Sequence, residues 1–163
     1  VAASGYSTDF KMSPPLRSAA DVQACVEGLA DGTLDCIATD HAPHSAVEKD
    51  VEFDAAMNGI TGLETAFPVC LALVRRGALT ERRLVEALTS APARCFSLPG
   101  GTLARGAPAD VAVLDPAAEW VFDPAAMHSK SKNSPWKGRR LTGRCIHTFV
   151  GGRLVHEAGR ETR

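Results

Sequence analysis

Several things are missing from this chain of 163 residues, and each absence excludes something. No apolar run approaches the roughly 18 residues that a membrane span needs, and the N-terminus has no charged segment followed by a hydrophobic one, so neither a span nor a secretory signal is visible. There is no excess of charge: 18 basic and 19 acidic side chains leave a net charge of −1. That balance argues against nucleic acid or an anionic membrane as the main partner, since both call for a concentrated basic face. Arg139, Arg140 and Arg144 do cluster, and read either as a solvated surface or as a substrate-side cation. No C-x-x-C pair occurs among the five cysteines, Cys25, Cys36, Cys70, Cys95 and Cys145. Their wide spacing, odd number and apolar contexts read as reduced core residues of a cytoplasmic protein, not as a zinc finger or a disulfide framework. No internal repeat or low-complexity tract appears. The glycines of Gly100–Gly106 lack the preceding strand and following helix of a phosphate-binding loop and are read as a linker turn. An initiating Met is also missing, and the chain is shorter than the roughly 250 residues of a complete (β/α)8 barrel.

Helical periodicity dominates the first hundred residues. Val22, Cys25, Val26 and Leu29 fall at i, i+3, i+4 and i+7, with Ser18 and Asp21 as a capping pair and Gly32 beyond the end, which predicts a helix over 18–31 with those four apolar residues inside. The same spacing through Leu63, Phe67, Cys70 and Val74 predicts a second helix over 63–76 ended by Gly77; Pro68 sits in its first turn or kinks it. Thr80 is the N-cap of a third helix reaching Leu88, with Leu84 and Leu88 inward, and Ser90 with Pro92 opens a shorter fourth. After Gly100-Gly101 the texture changes to short strands: 110–114, 119–122, 145–150 and 153–157, the last two joined by a Gly151-Gly152 hairpin turn. Trp120 and Trp136 read as sheet core and packed turn, and His128, His147 and His156 as surface or edge-strand residues.

The chemistry concentrates between Leu34 and His44. Ile37, Ala38 and Thr39 suit a buried strand, and Pro43 breaks it three residues after Asp40, which places Asp40, His41 and His44 at the strand's C-terminal tip. In a parallel α/β barrel that tip faces the active site. For Asp40 the plainer alternative is a turn cap, and for His44 a loop histidine. His41 is read as much for packing as for contact with a substrate.

Three further segments accompany this one in order: Lys11-Met-Ser-Pro-Pro-Leu-Arg-Ser18, Gly59-Ile-Thr-Gly-Leu-Glu-Thr-Ala66 and Ser129-Lys-Ser-Lys-Asn-Ser-Pro-Trp136. Together they resemble the dihydroorotases, type I, of the amidohydrolase superfamily, from about Phe10 to about Glu157. The second His of Asp40-His-Ala-Pro-His44 separates that family from its allantoinase and dihydropyrimidinase cousins. The resemblance implies an α/β fold, with residues 1–100 as the C-terminal part of a (β/α)8 TIM barrel and 101–163 as the C-terminal half of a small β-sandwich. It starts at what would be the seventh barrel strand, so the chain is expected to be the C-terminal portion of a longer protein.

The activity the resemblance implies is the zinc-dependent, reversible cyclisation of N-carbamoyl-L-aspartate to dihydroorotate in pyrimidine biosynthesis, in the cytoplasm, with one or two Zn2+ ions in the full-length protein. Asp40 would be metal ligand and proton shuttle; His44, Asn58, Gly59 and Ser13 would contact substrate. Ser13 departs from the pattern, because the family usually carries Asn there, and a hydroxyl offers fewer hydrogen bonds than an amide. A homodimer or a complex with aspartate carbamoyltransferase is the implied assembly. The alternative readings are a non-catalytic dihydroorotase-like scaffold of aspartate carbamoyltransferase and a sister cyclic amidohydrolase such as an allantoinase. A fragment lacking the other metal ligands is expected to be inactive alone.

Overall fold

The computed structural model describes residues 5–159. The elements follow in the order α1 (Ala19–Asp31), α2 (Ala46–Lys49), α3 (Ala66–Arg75), α4 (Glu81–Leu88), α5 (Ser90–Cys95), β1 (Val111–Val121), β2 (Arg140–Val150) and β3 (Arg153–Glu157). No described helix is long and apolar enough to cross a membrane. Two compact units interleave along the chain. One holds residues up to Val22, Thr39–Ala66 and Trp120–Leu141; the other holds Gln23–Ala38, Phe67–Glu119 and the residues from Thr142 on.

The helix ends are set by local chemistry that the sequence displays. At α1 the Ser18 hydroxyl donates to Asp21 at 2.8 Å, and the Asp21 amide donates back to the Ser18 hydroxyl at 3.3 Å. Pro68 falls in the first turn of α3, where a missing N–H costs nothing. Beyond its last turn, the Gly77 amide donates to Val74 and the Ala78 amide to Leu73, both at 2.9 Å, a Schellman closure that satisfies carbonyls the helix leaves open. The Thr80 hydroxyl accepts from the Arg83 amide at 3.1 Å and starts α4, which buries Leu84 and Ala87.

The three strands, of which β3 and most of β1 and β2 belong to the second unit, form a sheet of order β1-β2-β3. β2 and β3 pair antiparallel, with a bulge at Thr148/Phe149, across Gly151 and Gly152, whose φ angles of 56° and 77° suit a two-residue hairpin turn. A Cβ added at Gly143 of β2 would lie 2.6 Å from Leu71, so α3 packs directly on the strand's backbone. In the first unit Phe122, Met127 and Leu141 form a core against which Trp120 and Trp136 pack.

Five expectations are corrected. Residues 34–39 form no strand: the Ile37 amide donates to Ala87 in a helix, and the nearest sheet-like contact is a single parallel bridge between His41 and Ile60. A strand exists only through a paired neighbour, and among the described residues no ladder forms along 34–39. On α1 the apolar stripe is not a buried face. Val22 and Cys25 are exposed, and the buried position is Gly28, against Leu34. Leu63 precedes α3 in a turn and is exposed, because the helix begins only at Ala66. The runs at 110–114 and 119–122 are parts of one eleven-residue strand that passes through Pro116. The cysteines are all free thiols as expected, but Cys25 and Cys95 are exposed and not core residues.

Candidate functional site

Asp40 directly precedes His41, whose backbone makes the single parallel bridge to Ile60. Its φ of 46° is left-handed, a conformation that Asp tolerates better than most residues. The side chain is exposed, and no described residue makes a hydrogen bond or ion pair with its carboxylate. The carboxylate is available for chemistry, which a turn cap would not be.

Next along the chain, the His41 Nδ1 accepts from the Gly62 amide at 3.1 Å and the Leu63 amide at 3.4 Å. A ring nitrogen that accepts from an amide carries no proton, so the ring's hydrogen sits on Nε2. Its place is structural: it ties the Asp40 turn to the entry of α3.

The structure brings His44, Asn58 and Gly59 together. His44 Nε2 donates to the Asn58 carbonyl at 2.9 Å, since a carbonyl can only accept. That leaves Nδ1 as the ring's other polar atom, 3.8 Å from Glu48. Gly59 has φ 131°, and a Cβ there would stand 2.5 Å from the Ala42 Cβ and 3.1 Å from His44 Nε2. Only a glycine permits this approach. Ser13 is exposed and makes no hydrogen bond among the described residues, although the Gly59 amide donates to the Lys11 carbonyl at 2.9 Å, two residues before it.

Two residues to which sequence reasoning gave no role hold this arrangement. Asn133, 3% exposed, uses its whole amide: Nδ2 donates to the Ala42 carbonyl at 2.9 Å and the Gly59 carbonyl at 3.1 Å, and Oδ1 accepts the His44 amide at 3.0 Å. By meeting a C=O at 42 and an N–H at 44, the side chain pairs with this turn as a neighbouring strand would. Lys49, 5% exposed, donates through Nζ to the Met57 carbonyl at 2.9 Å and the Gly59 carbonyl at 3.0 Å. Burial pulls its ammonium below the ordinary lysine value; Asp9 opposes the shift, and Lys11 and Lys137 reinforce it. Asn133 lies within the 129–136 motif, the one signal that could have drawn attention to it; Lys49 stands in no motif. An open cleft of about 660 Å³ borders the arrangement, lined by His44, Lys49 and Asn133 together with Asp9, Lys130 and Lys137. Lys137 is paired with Asp9 at 2.7 Å.

Residues 12–155 match the sequence pattern of the Amidohydrolase family. The chain belongs to that family. It is 80% identical over all 163 residues to a dihydroorotase of Anaeromyxobacter sp. (strain K), and 55% identical over 153 residues to a dihydroorotase of Geotalea daltonii. It covers 38% and 36% of the length of these relatives, so it spans less than two fifths of the proteins that it matches. Among solved structures it is similar to the L-hydantoinase (dihydropyrimidinase) of Arthrobacter aurescens, with a TM-score of 0.89 and 34% identity over 99% of this chain and 37% of that one. The fold is therefore that of part of an α/β amidohydrolase. Within it, the described residues bring no three His, Cys, Asp or Glu side chains together as a metal site would require. They do not by themselves fit a metal ion.

Proposed function

We propose that this chain is the C-terminal portion of a dihydroorotase that interconverts N-carbamoyl-L-aspartate and dihydroorotate. The carrying observation is the free Asp40 carboxylate at a left-handed tip, two to four residues before a turn fastened to the Asn58-Gly59 loop. The 80% identity to a dihydroorotase across the whole chain supports the substrate class. In this reading residues 1–100 belong to the barrel and 101–163 to the β-sandwich, and the full-length protein works in the cytoplasm, as a homodimer or with aspartate carbamoyltransferase.

Asp40 has the chemistry of a proton shuttle. It takes the proton of the oxygen that attacks the ring carbonyl and returns it to the ring nitrogen that leaves; in the biosynthetic direction the transfers reverse. His44 and the Asn58-Gly59 main chain bind the substrate's polar edge, and Gly59 lets it approach the backbone. Ser13 offers a hydroxyl where an amide would bind more firmly. Zinc is the metal we infer for the full-length protein, with Asp40 the ligand that this chain would offer. The described residues do not form its site, so the remaining ligands would come from the rest of the full-length protein.

The test uses a full-length host, the Anaeromyxobacter sp. dihydroorotase carrying these 163 residues in place of its matching segment. The host should turn over dihydroorotate, and Asp40→Asn should lower kcat by on the order of a hundredfold or more with the fold retained. Near-normal turnover by that variant would remove Asp40 from the mechanism. The likeness to an L-hydantoinase supports a second reading, a sister cyclic amidohydrolase. Higher kcat/KM on hydantoin or dihydrouracil than on dihydroorotate would favour it.

A further inference from the structure

The Gly59 carbonyl receives two buried donors at once, Asn133 Nδ2 at 3.1 Å and Lys49 Nζ at 3.0 Å, while its amide is held by Lys11. From this we infer that Asn133 and Lys49 are positioning residues, which set the Asn58-Gly59 main chain and the His44 ring against each other for substrate. The inference rests on the dihydroorotase reading and adds to it two residues that touch no reacting atom.

The connectivity is specific. Asn133 reaches across the chain to fix Ala42 and His44 on either side of Pro43, and its third contact fixes Gly59. Its own carbonyl accepts from the Thr61 amide at 2.9 Å and the Thr61 hydroxyl at 3.1 Å, so the loop is gripped again two residues beyond Gly59. Lys49 in turn is fixed by its carbonyl, which accepts from the Thr8 hydroxyl at 2.6 Å. The Asn58 carbonyl that receives the His44 ring belongs to the peptide between the anchored carbonyls of Met57 and Gly59. Ring orientation and loop position are therefore one quantity. The His44–Asn58 bond is itself exposed, but the loop that carries it is held by the buried bonds from Lys49 and Asn133 to the Gly59 carbonyl, where an unmade hydrogen bond is costly.

The chemistry of each side chain predicts how it fails. Asn133→Asp keeps the shape but replaces both donors with acceptors, setting a carboxylate against two carbonyls. Lys49→Met keeps much of the length and removes the donor. Both should loosen the groups that bind substrate and leave the Asp40 carboxylate, which neither residue contacts, in place.

The experiment is a kinetic comparison in the same full-length host. The expected result is a rise in KM for dihydroorotate of about tenfold or more in Asn133→Asp, and several-fold in Lys49→Met, with kcat lowered by less than about threefold. Residues that served stability alone would give the opposite split, a smaller active fraction and so a lower apparent kcat at unchanged KM. That result, or no change at all, overturns the inference. If Asn133→Asp does not fold, Lys49→Met decides by the same split. A wild-type host inactive on dihydroorotate would sink the functional reading instead. Hydrogen exchange at the His44 amide then judges the clasp alone: about tenfold faster exchange in Asn133→Asp supports it, and unchanged exchange refutes it.

Discussion

Replacing Gly59 with Ala puts a methyl group where the structure has no room for one. Two costs can be separated. The backbone at φ 131° lies where an L side chain is strained, which costs about 1–3 kcal/mol. The new Cβ would also stand 2.5 Å from the Ala42 Cβ, well inside the roughly 3.5–4.0 Å at which carbons rest, and forced overpacking costs about 1–3 kcal/mol more. Local relaxation absorbs part of this, so about 3 kcal/mol is expected for opening the segment. Since about 1.4 kcal/mol is a factor of ten, amides gripped by the clasp should exchange on the order of a hundredfold faster. Suitable reporters are the Thr61 amide, bonded to Asn133 at 2.9 Å, and the His44 amide, bonded to the Asn133 side chain at 3.0 Å. A second substitution divides the two costs. Ala42→Gly removes the atom that the methyl meets, so the double variant should recover the steric share, about 1–2 kcal/mol, and keep the backbone share. The measurement is hydrogen exchange by mass spectrometry or NMR on the four proteins of the cycle. Gly59→Ala with wild-type exchange would mean that the approach of loop and turn is looser than described. A double variant no better than the single one would locate the whole cost in the backbone and refute the contact with Ala42.

Ser13 and the chain by itself give two more expectations. In the full-length host, Ser13→Asn should lower KM by roughly fivefold, the value of one hydrogen bond of about 1 kcal/mol, and an unchanged or higher KM would show that the role is already filled. The 163-residue chain alone with added zinc should not turn over dihydroorotate, because its described residues form no three-ligand metal site; turnover above the protein-free background would refute this.

What could be read in advance follows from how far each interaction reaches along the chain. The caps of α1 and α4, the Gly77 closure of α3 and the Gly151-Gly152 turn involve residues within five positions of one another, so the sequence displays all the partners. The burial of Val22 and Cys25 could not be read the same way: periodicity shows which face of a helix is apolar, not whether anything covers it. The stretch 115–118 between the two expected runs carries no alternating pattern, and it includes Pro116, a residue rare inside strands, yet β1 runs through it. At the site, Asp40 and His44 are legible as chemistry-bearing residues around Pro43, although the strand expected before them is not formed. The partners of Asn133 lie 89 and 91 residues away at His44 and Ala42, and no local pattern marks an amide that completes its bonds at such a distance.

The middle of β1 has a consequence of its own. Pro116 has no N–H, and the amides of Ala117 and Ala118 both donate to the Asp115 carboxylate, at 2.8 and 3.2 Å. The Pro116 carbonyl is occupied by Arg75 at 3.1 Å. An extended peptide laid along the outer side of this strand would find no donor to register against at 116–118, although β1 ends the sheet among the described residues and would otherwise be a template for it. The strand thus interrupts its own stickiness near its centre, and any added strand, whether a legitimate neighbour or an amyloid-like intruder, must stop short of that point or cross it unpaired.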